Sequence, residues 1–162
     1  WPWRNCGIAC VKMILNSVGK KYPIMELTKL GVKLGGYDTI NDIGWYHKSL
    51  VQLLQMHGLN AKTKKWQSVE AVARDILENK KVILSITVPQ RSKIDPSGNF
   101  QPLPGAKYLG HLVLATGVKI HNGRVVEIYV HDPRGLPNYQ ANTTIPYRTL
   151  KEIFTNRTIV SN

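Results

Sequence analysis

Apolar residues at Ala9, Val11, Met13, Ile14 and Leu15 recur with a helical period, which predicts a first helix from about Cys6 to Val18, stopped by Gly19. Ahead of it, Trp1-Pro2-Trp3-Arg4 is expected to be extended, because the residue before a proline is pushed out of helical geometry, and its tryptophans to pack or line a cleft. Tyr22 to Leu30 reads as a second helix with Pro23 near its first turn, and the glycine-rich stretch from Gly31 to Gly44 as a loop. Leu50, Val51, Leu53 and Leu54 form the stripe of a third helix, Trp45 to His57, closed by Gly58. Leu59 to Lys65 fits a short edge strand whose lysines discourage pairing with another molecule. Ser68 caps a fourth helix that turns Val69, Val72, Ala73, Ile76 and Leu77 inward.

The pattern then changes to β. Lys81 to Val88 is a β-branched run ended by Pro89. Gln90 to Gly110 has neither period and is longer than an ordinary connection, so it is expected to form one wall of a cleft, the alternative being a disordered surface excursion. His111 to Val118 and Arg124 to His131 flank Asn122-Gly123, a favoured hairpin turn, and are predicted to be antiparallel neighbours. Residues 133 to 143 read as a turn-rich loop, Pro146 to Phe154 as a last helix, and Arg157 to Val160 as a closing strand.

At 162 residues, one domain spanning 1–162 is expected, large enough to bury a core without disulfides. The two cysteines, Cys6 and Cys10, stand four apart on a predicted helix, a poor geometry for a bridge. A formal charge of +12 favours contact with anionic surfaces, but Lys20-Lys21, Lys62 to Lys65 and Lys80-Lys81 are short, scattered runs without a recognition motif. They read as a solvated basic surface, with no specific nucleic acid as partner. No apolar run approaches the roughly 20 residues of a membrane helix. A chain that begins Trp-Pro-Trp looks cut from something longer at its N-terminus, so a signal or membrane segment of the parent chain is expected to have been removed. An extracellular or cell-envelope setting and a monomer are the accompanying expectations.

The candidate chemistry starts at Cys6. A thiol at a helix start feels unpaired N–H groups and the positive dipole end, which favour thiolate. Such a nucleophile needs a base and a group to orient the base. Gly110-His111 at the head of one apolar run and Asp132-Pro133 at the end of the next supply them, and the hairpin brings those two ends together. His131 would point to the opposite face of its strand from Asp132, and His47, His57 and His121 read as exposed helix or turn residues. Cys10 reads as core. Zinc is not expected, since paired Cys-x-x-Cys spacing is missing.

Cys-Gly-x-Ala-Cys opening a helix, Gly-His opening a strand and Asp-Pro closing the next resemble the papain-fold cysteine peptidases of the bacteriocin-leader, or double-glycine leader, type and their wider relatives. The resemblance implies an α+β papain-like fold, its N-terminal helical half packed on an antiparallel sheet, and a thiol peptidase acting on a peptide or protein without a cofactor. It carries over the roles of nucleophile to Cys6, base to His111 and orienting acid to Asp132. Gly110 would let a substrate backbone pass close by, and the backbone N–H of Cys6 would be a first oxyanion donor. The family's upstream glutamine is missing between Trp1 and Cys6: either it stood just ahead of this stretch in the parent chain or the hole is built differently, with the Asn5 amide as a candidate donor. Alternatives are another thiol-dependent amidase or acyltransferase on this fold, or a catalytically weak module that binds a peptide or glycan.

Overall fold

A computed structural model describes residues 4–38, 40, 44–89, 92–94, 100–102, 104–105, 107–134 and 143–162. Trp1 and Trp3, parts of the 31–44 and 90–110 stretches including the expected cleft wall, and most of the 133–143 loop lie outside the described residues.

Three helices come first: α1 (Cys6–Ser17), α2 (Ile24–Lys33) and α3 (His47–Met56). They are followed by β1 (Ala61–Lys65), α4 (Val69–Leu77), β2 (Lys81–Pro89), β3 (Ser92–Ile94), β4 (Phe100–Pro102), β5 (Tyr108–His121), β6 (Arg124–His131), β7 (Thr143–Pro146), α5 (Tyr147–Ile153) and β8 (Phe154–Ser161). One antiparallel sheet runs β1-β8-β2-β5-β6-β7, and β3 and β4 pair separately. The α+β architecture expected above is the one observed.

Alternation along the central strands divides the core in two. Ile83, Leu112, Leu114 and Ile159 meet α1 to α3 through Ile8, Val11, Ile14, Leu50 and Leu53. Val82, Leu84, Ile86, Val113 and Val160 belong to a second cluster with Val69, Val72 and Leu150 of α4 and α5. The sheet is therefore covered on both faces, which explains why β2 reads as a continuous apolar run.

Several boundaries differ from the sequence reading for physical reasons. The second helix continues to Lys33 and encloses Gly31, because a Cβ there would meet the Trp45 ring at 2.6 Å and Ile8 at 3.1 Å. That glycine is a contact surface, not a break. Strand β5 starts at Tyr108, so His111 lies inside it, and the stretch before it contains the β3–β4 pair. Pro146, read as the start of the last helix, instead ends a strand, β7, that the sequence reading did not assign, and only then does α5 begin. Leu77 is 61% exposed, since α4 ends there, while Asp75 is buried in its place. Asp75 also corrects the reading of the lysine runs: Lys64 donates to both its oxygens at 2.8 and 2.6 Å, and Lys80 to one at 2.8 Å. Two lysines expected in solvent thus tie β1 and the head of β2 to α4.

Other expectations hold. Ser68 Oγ accepts the Ala71 N–H at 3.2 Å and caps α4, β1 is a sheet edge, and the turn residues Asn122 and Gly123 have φ of 48° and 72°.

Candidate active site

Cys6 is the first residue of α1, and its position is set from three sides. Gly7 brings the helix against its neighbours: a Cβ there would lie 2.8 Å from Leu50 Cδ1, 3.1 Å from Trp45 Cβ and 3.2 Å from Leu112 Cδ1. Trp45 Nε1–H donates to the Arg4 carbonyl at 2.6 Å and pins the chain just before the helix. The third side is β5. Strand β6 pairs with β5 only from Leu114 onward, so the earlier part of β5 has an edge without a β6 partner. The helix uses that edge: the Leu112 N–H hydrogen-bonds the Cys6 sulfur, and Cys10 Sγ donates to the Leu112 carbonyl at 3.5 Å.

Main-chain groups along a strand alternate in direction. Those of Gly110 therefore point toward the same open edge as those of Leu112. Gly110 is exposed, and a Cβ on it would meet nothing within 4 Å.

His111 and Asp132 come together where the hairpin ends. His111 Nε2 lies 2.8 Å from Asp132 Oδ1, and both side chains are buried. With Nε2 committed to the carboxylate, Nδ1 is the ring atom left for the hydrogen bond between His111 and Cys6. Asp132 is further held by Arg134, whose main-chain N–H donates to Oδ1 at 3.0 Å and whose Nε and Nη2 donate to Oδ2 at 2.8 and 2.6 Å.

These contacts fix the charges. Burial alone would push the Cys6 thiol up, but the hydrogen bond and charge of His111, with the N–H groups of Leu112 and Gly7, bring it below its ordinary value. Burial likewise opposes a protonated His111, and Asp132 and Cys6 overcome it to raise the imidazole. Asp132 resists burial through His111 and Arg134 and falls to about 2. A half-buried thiol shifted toward its thiolate, beside an imidazole that a carboxylate orients, is a pairing suited to acyl transfer.

The remaining candidates separate clearly. Asn5 is buried, its carbonyl oxygen accepts the Ala9 N–H at 2.8 Å, and its side chain does not cap α1. Its Oδ1 has no hydrogen-bond partner among the described residues. Cys10 is fully buried and its thiol is pushed well up, by burial first and then by the charges of Cys6 and Asp132. His131 pairs with Leu114 across the hairpin and lines a groove with Met13 and Asn16 of α1. His47 and His57, read as exposed, are half-buried; His57 Nδ1 lies 2.6 Å from the Leu53 carbonyl and its ring meets Tyr22 edge-on. His121 is exposed. No cluster of three metal-ligating side chains occurs among the described residues, and no helix there is long and apolar enough to cross a membrane.

Two contributors escaped the sequence reading. Arg134 had a signal, an arginine two residues past the candidate acid, where an Asx turn delivers its N–H to the carboxylate. Trp45 had none, because its indole donates to the carbonyl of Arg4, a partner 41 residues away in sequence.

A family model, the Peptidase_C39 like family, matches residues 1–160. No curated protein sequence matches the chain. Among solved structures, the peptidase domain of Streptococcus ComA, a bi-functional ABC transporter involved in a quorum-sensing pathway, superposes with a TM-score of 0.67 at 16% identity, covering 98% of this chain and 91% of that one. A C39-like peptidase assigned in Bacillus anthracis gives 0.65 at 16% identity, covering 98% and 88%. A double glycine motif protease from an AMS/PCAT transporter, in complex with the leader peptide, gives 0.57 at 16% identity, covering 96% and 83%. At this identity the likeness is one of fold.

Proposed function

The chain belongs to the Peptidase_C39 like family, and from that premise we propose that it is a cysteine peptidase with Cys6 as nucleophile, His111 as general base and acid, and Asp132 as the group that orients His111. The Cys6 thiolate attacks the scissile carbonyl carbon, and the imidazolium of His111 gives its proton to the departing amine. The resulting thioester is hydrolysed by a water from which His111 takes a proton, and the thiolate returns.

The negative oxygen formed in each half-reaction needs donors. The backbone N–H of Cys6, free of intrahelical partners at the helix start, is one. The amide of Asn5 is the other, a role compatible with a side chain that neither caps α1 nor spends its carbonyl on a described neighbour. The main chain of Gly110, turned to the open edge of β5, is where the substrate backbone runs. A peptide is the substrate, and a double-glycine leader peptide is the first to try, since a protein of the same fold is known in complex with the leader peptide.

The observation that carries this reading is the 2.8 Å contact between His111 Nε2 and Asp132 Oδ1, which turns the other ring nitrogen to a thiol held below its ordinary value. Alkylation of the native protein by iodoacetamide, followed across pH, should show a thiolate persisting well below the free-thiol value of about 8.5. The same protein should cleave a double-glycine leader peptide after the second glycine, and Cys6→Ala should not. An ordinary thiol profile together with intact peptide would overturn the assignment.

A further inference from the structure

Asp132 spends all of its hydrogen-bonding capacity on two residues. Oδ1 takes His111 Nε2–H at 2.8 Å and the Arg134 main-chain N–H at 3.0 Å, and Oδ2 takes the Arg134 guanidinium twice, at 2.8 and 2.6 Å. A turn after Asp132 needs only the main-chain N–H, which any residue but proline supplies at position 134. The guanidinium is additional to the turn. Its two bonds fall on the oxygen that His111 does not use, so they fix the carboxylate plane and with it the direction in which Oδ1 meets the imidazole.

They also change the charge that His111 meets. A buried carboxylate with no other cation would hold an imidazolium protonated to high pH, and such a group surrenders its proton poorly. A carboxylate already neutralised by an arginine holds it less tightly. Resting on the reading of Asp132 as the orienting acid, we propose that Arg134 is a positioning residue that locks the Asp132 carboxylate and shares its charge, so setting the upper pH limit at which His111 stays protonated.

Among the described residues, the charged and titratable groups that bear on this pair come from three elements. Asp132 meets His111 from β5 and Arg134 from its own turn, and its charge reaches Cys10 of α1. His111 meets Asp132 and, from α1, Cys6. Arg134 is thus the cation whose removal alters the balance at Asp132 without touching His111 or Cys6.

The direct test is the titration of the His111 ring by NMR in the wild type, Arg134→Lys and Arg134→Gln, the signal being assigned by its loss in His111→Gln. Arg134→Gln keeps hydrogen-bond donors and the turn but discards the charge, and should raise the His111 titration by on the order of one pH unit. Arg134→Lys keeps the charge and should titrate close to wild type. The alkaline limb of iodoacetamide alkylation should move with the ring in both variants. If Arg134→Gln unfolds, Arg134→Met is titrated instead. A His111 titration that stays in place when the charge is removed would overturn the proposal, since an arginine that merely braces the turn would lower unfolding stability without moving it. The ring titration needs no active enzyme: an ordinary thiol profile in the wild type would sink the peptidase reading while the shift still reports on Arg134.

Discussion

The indole N–H of Trp45 donates to the carbonyl of Arg4 across 2.6 Å, so a residue just ahead of α3 holds the turn that delivers the sulfur of Cys6. Trp45→Phe removes the donor and, with the smaller ring, part of the packing against Gly31. It should cost about 1–2 kcal/mol or more in urea unfolding, because a part-buried carbonyl loses a partner and the core loses part of a buried ring. The alkylation rate of Cys6 at neutral pH should fall with it, since the helix start is no longer pinned.

Gly7 tests the same support from within the helix. Alanine in a helix interior ordinarily improves on glycine by about 1 kcal/mol. Here the new methyl would lie 2.8 Å from Leu50 Cδ1 and 3.1 Å from Trp45 Cβ, and both side chains are buried. The clash should win, leaving Gly7→Ala about 1–2 kcal/mol less stable. Peptide cleavage should drop by roughly 100-fold, the effect of about 1 Å of misplacement in a reacting group. Calorimetry and a cleavage assay on one preparation would check both.

Asn5→Ala separates catalysis from folding. Its side chain makes no cap bond and its buried Oδ1 has no described partner, so removing it should leave stability unchanged or slightly improved. Iodoacetamide, which forms no oxyanion, should still alkylate Cys6 at the wild-type rate. Peptide cleavage, which does form one, should slow by about 100-fold or more.

Asp132 gives a pH signature. Its carboxyl has an ordinary value of 3.8 and falls to about 2 in the folded chain, so the stability it contributes is complete above 3.8 and is lost as pH drops through about 2. Wild type and Asp132→Asn, unfolded in urea at a series of pH values, should differ most above pH 4 and converge toward pH 2. A constant difference across that range would mean that the carboxylate's charge is not what stabilises the native state.

Asp75 binds Lys64 of β1 and Lys80, the residue just before β2, to α4, and its own side chain is 6% exposed while those of Lys64 and Lys80 are 25% and 26% exposed. Asp75→Asn should cost about 3 kcal/mol, the low end for a broken buried pair, because both ammonium groups keep access to water. Denaturant midpoints in low and high salt should show that loss nearly undiminished by screening.

What was legible in the sequence was whatever rests on local chemistry. Ser68 announced the cap of α4, Asn122-Gly123 the hairpin, and the periodic apolar residues the helices. Cys6, His111 and Asp132 could be chosen because a helix start, a Gly-His at the head of an apolar run and an Asp-Pro after the next are local features; the hairpin reading brought the last two together even though His111 lies three residues inside β5. Failures occurred where a residue's meaning lies in a distant partner. Gly31 looks like a helix stop until Trp45 is laid across it, and Lys64 and Lys80 look like solvent charges until Asp75 is buried between them. Likewise the half-burial of His47 and His57 depends on tertiary neighbours that no local pattern contains.

Strand β6 ends at His131, opposite Leu114, while β5 reaches back to Tyr108, so the longer strand has several rungs with no mate on that side. That incomplete zippering admits a helix tip to the strand's rim. A variant whose β6 was lengthened to run alongside Gly110 should accordingly be the better-knit protein and the inert one, its sulfur shut behind a finished ladder.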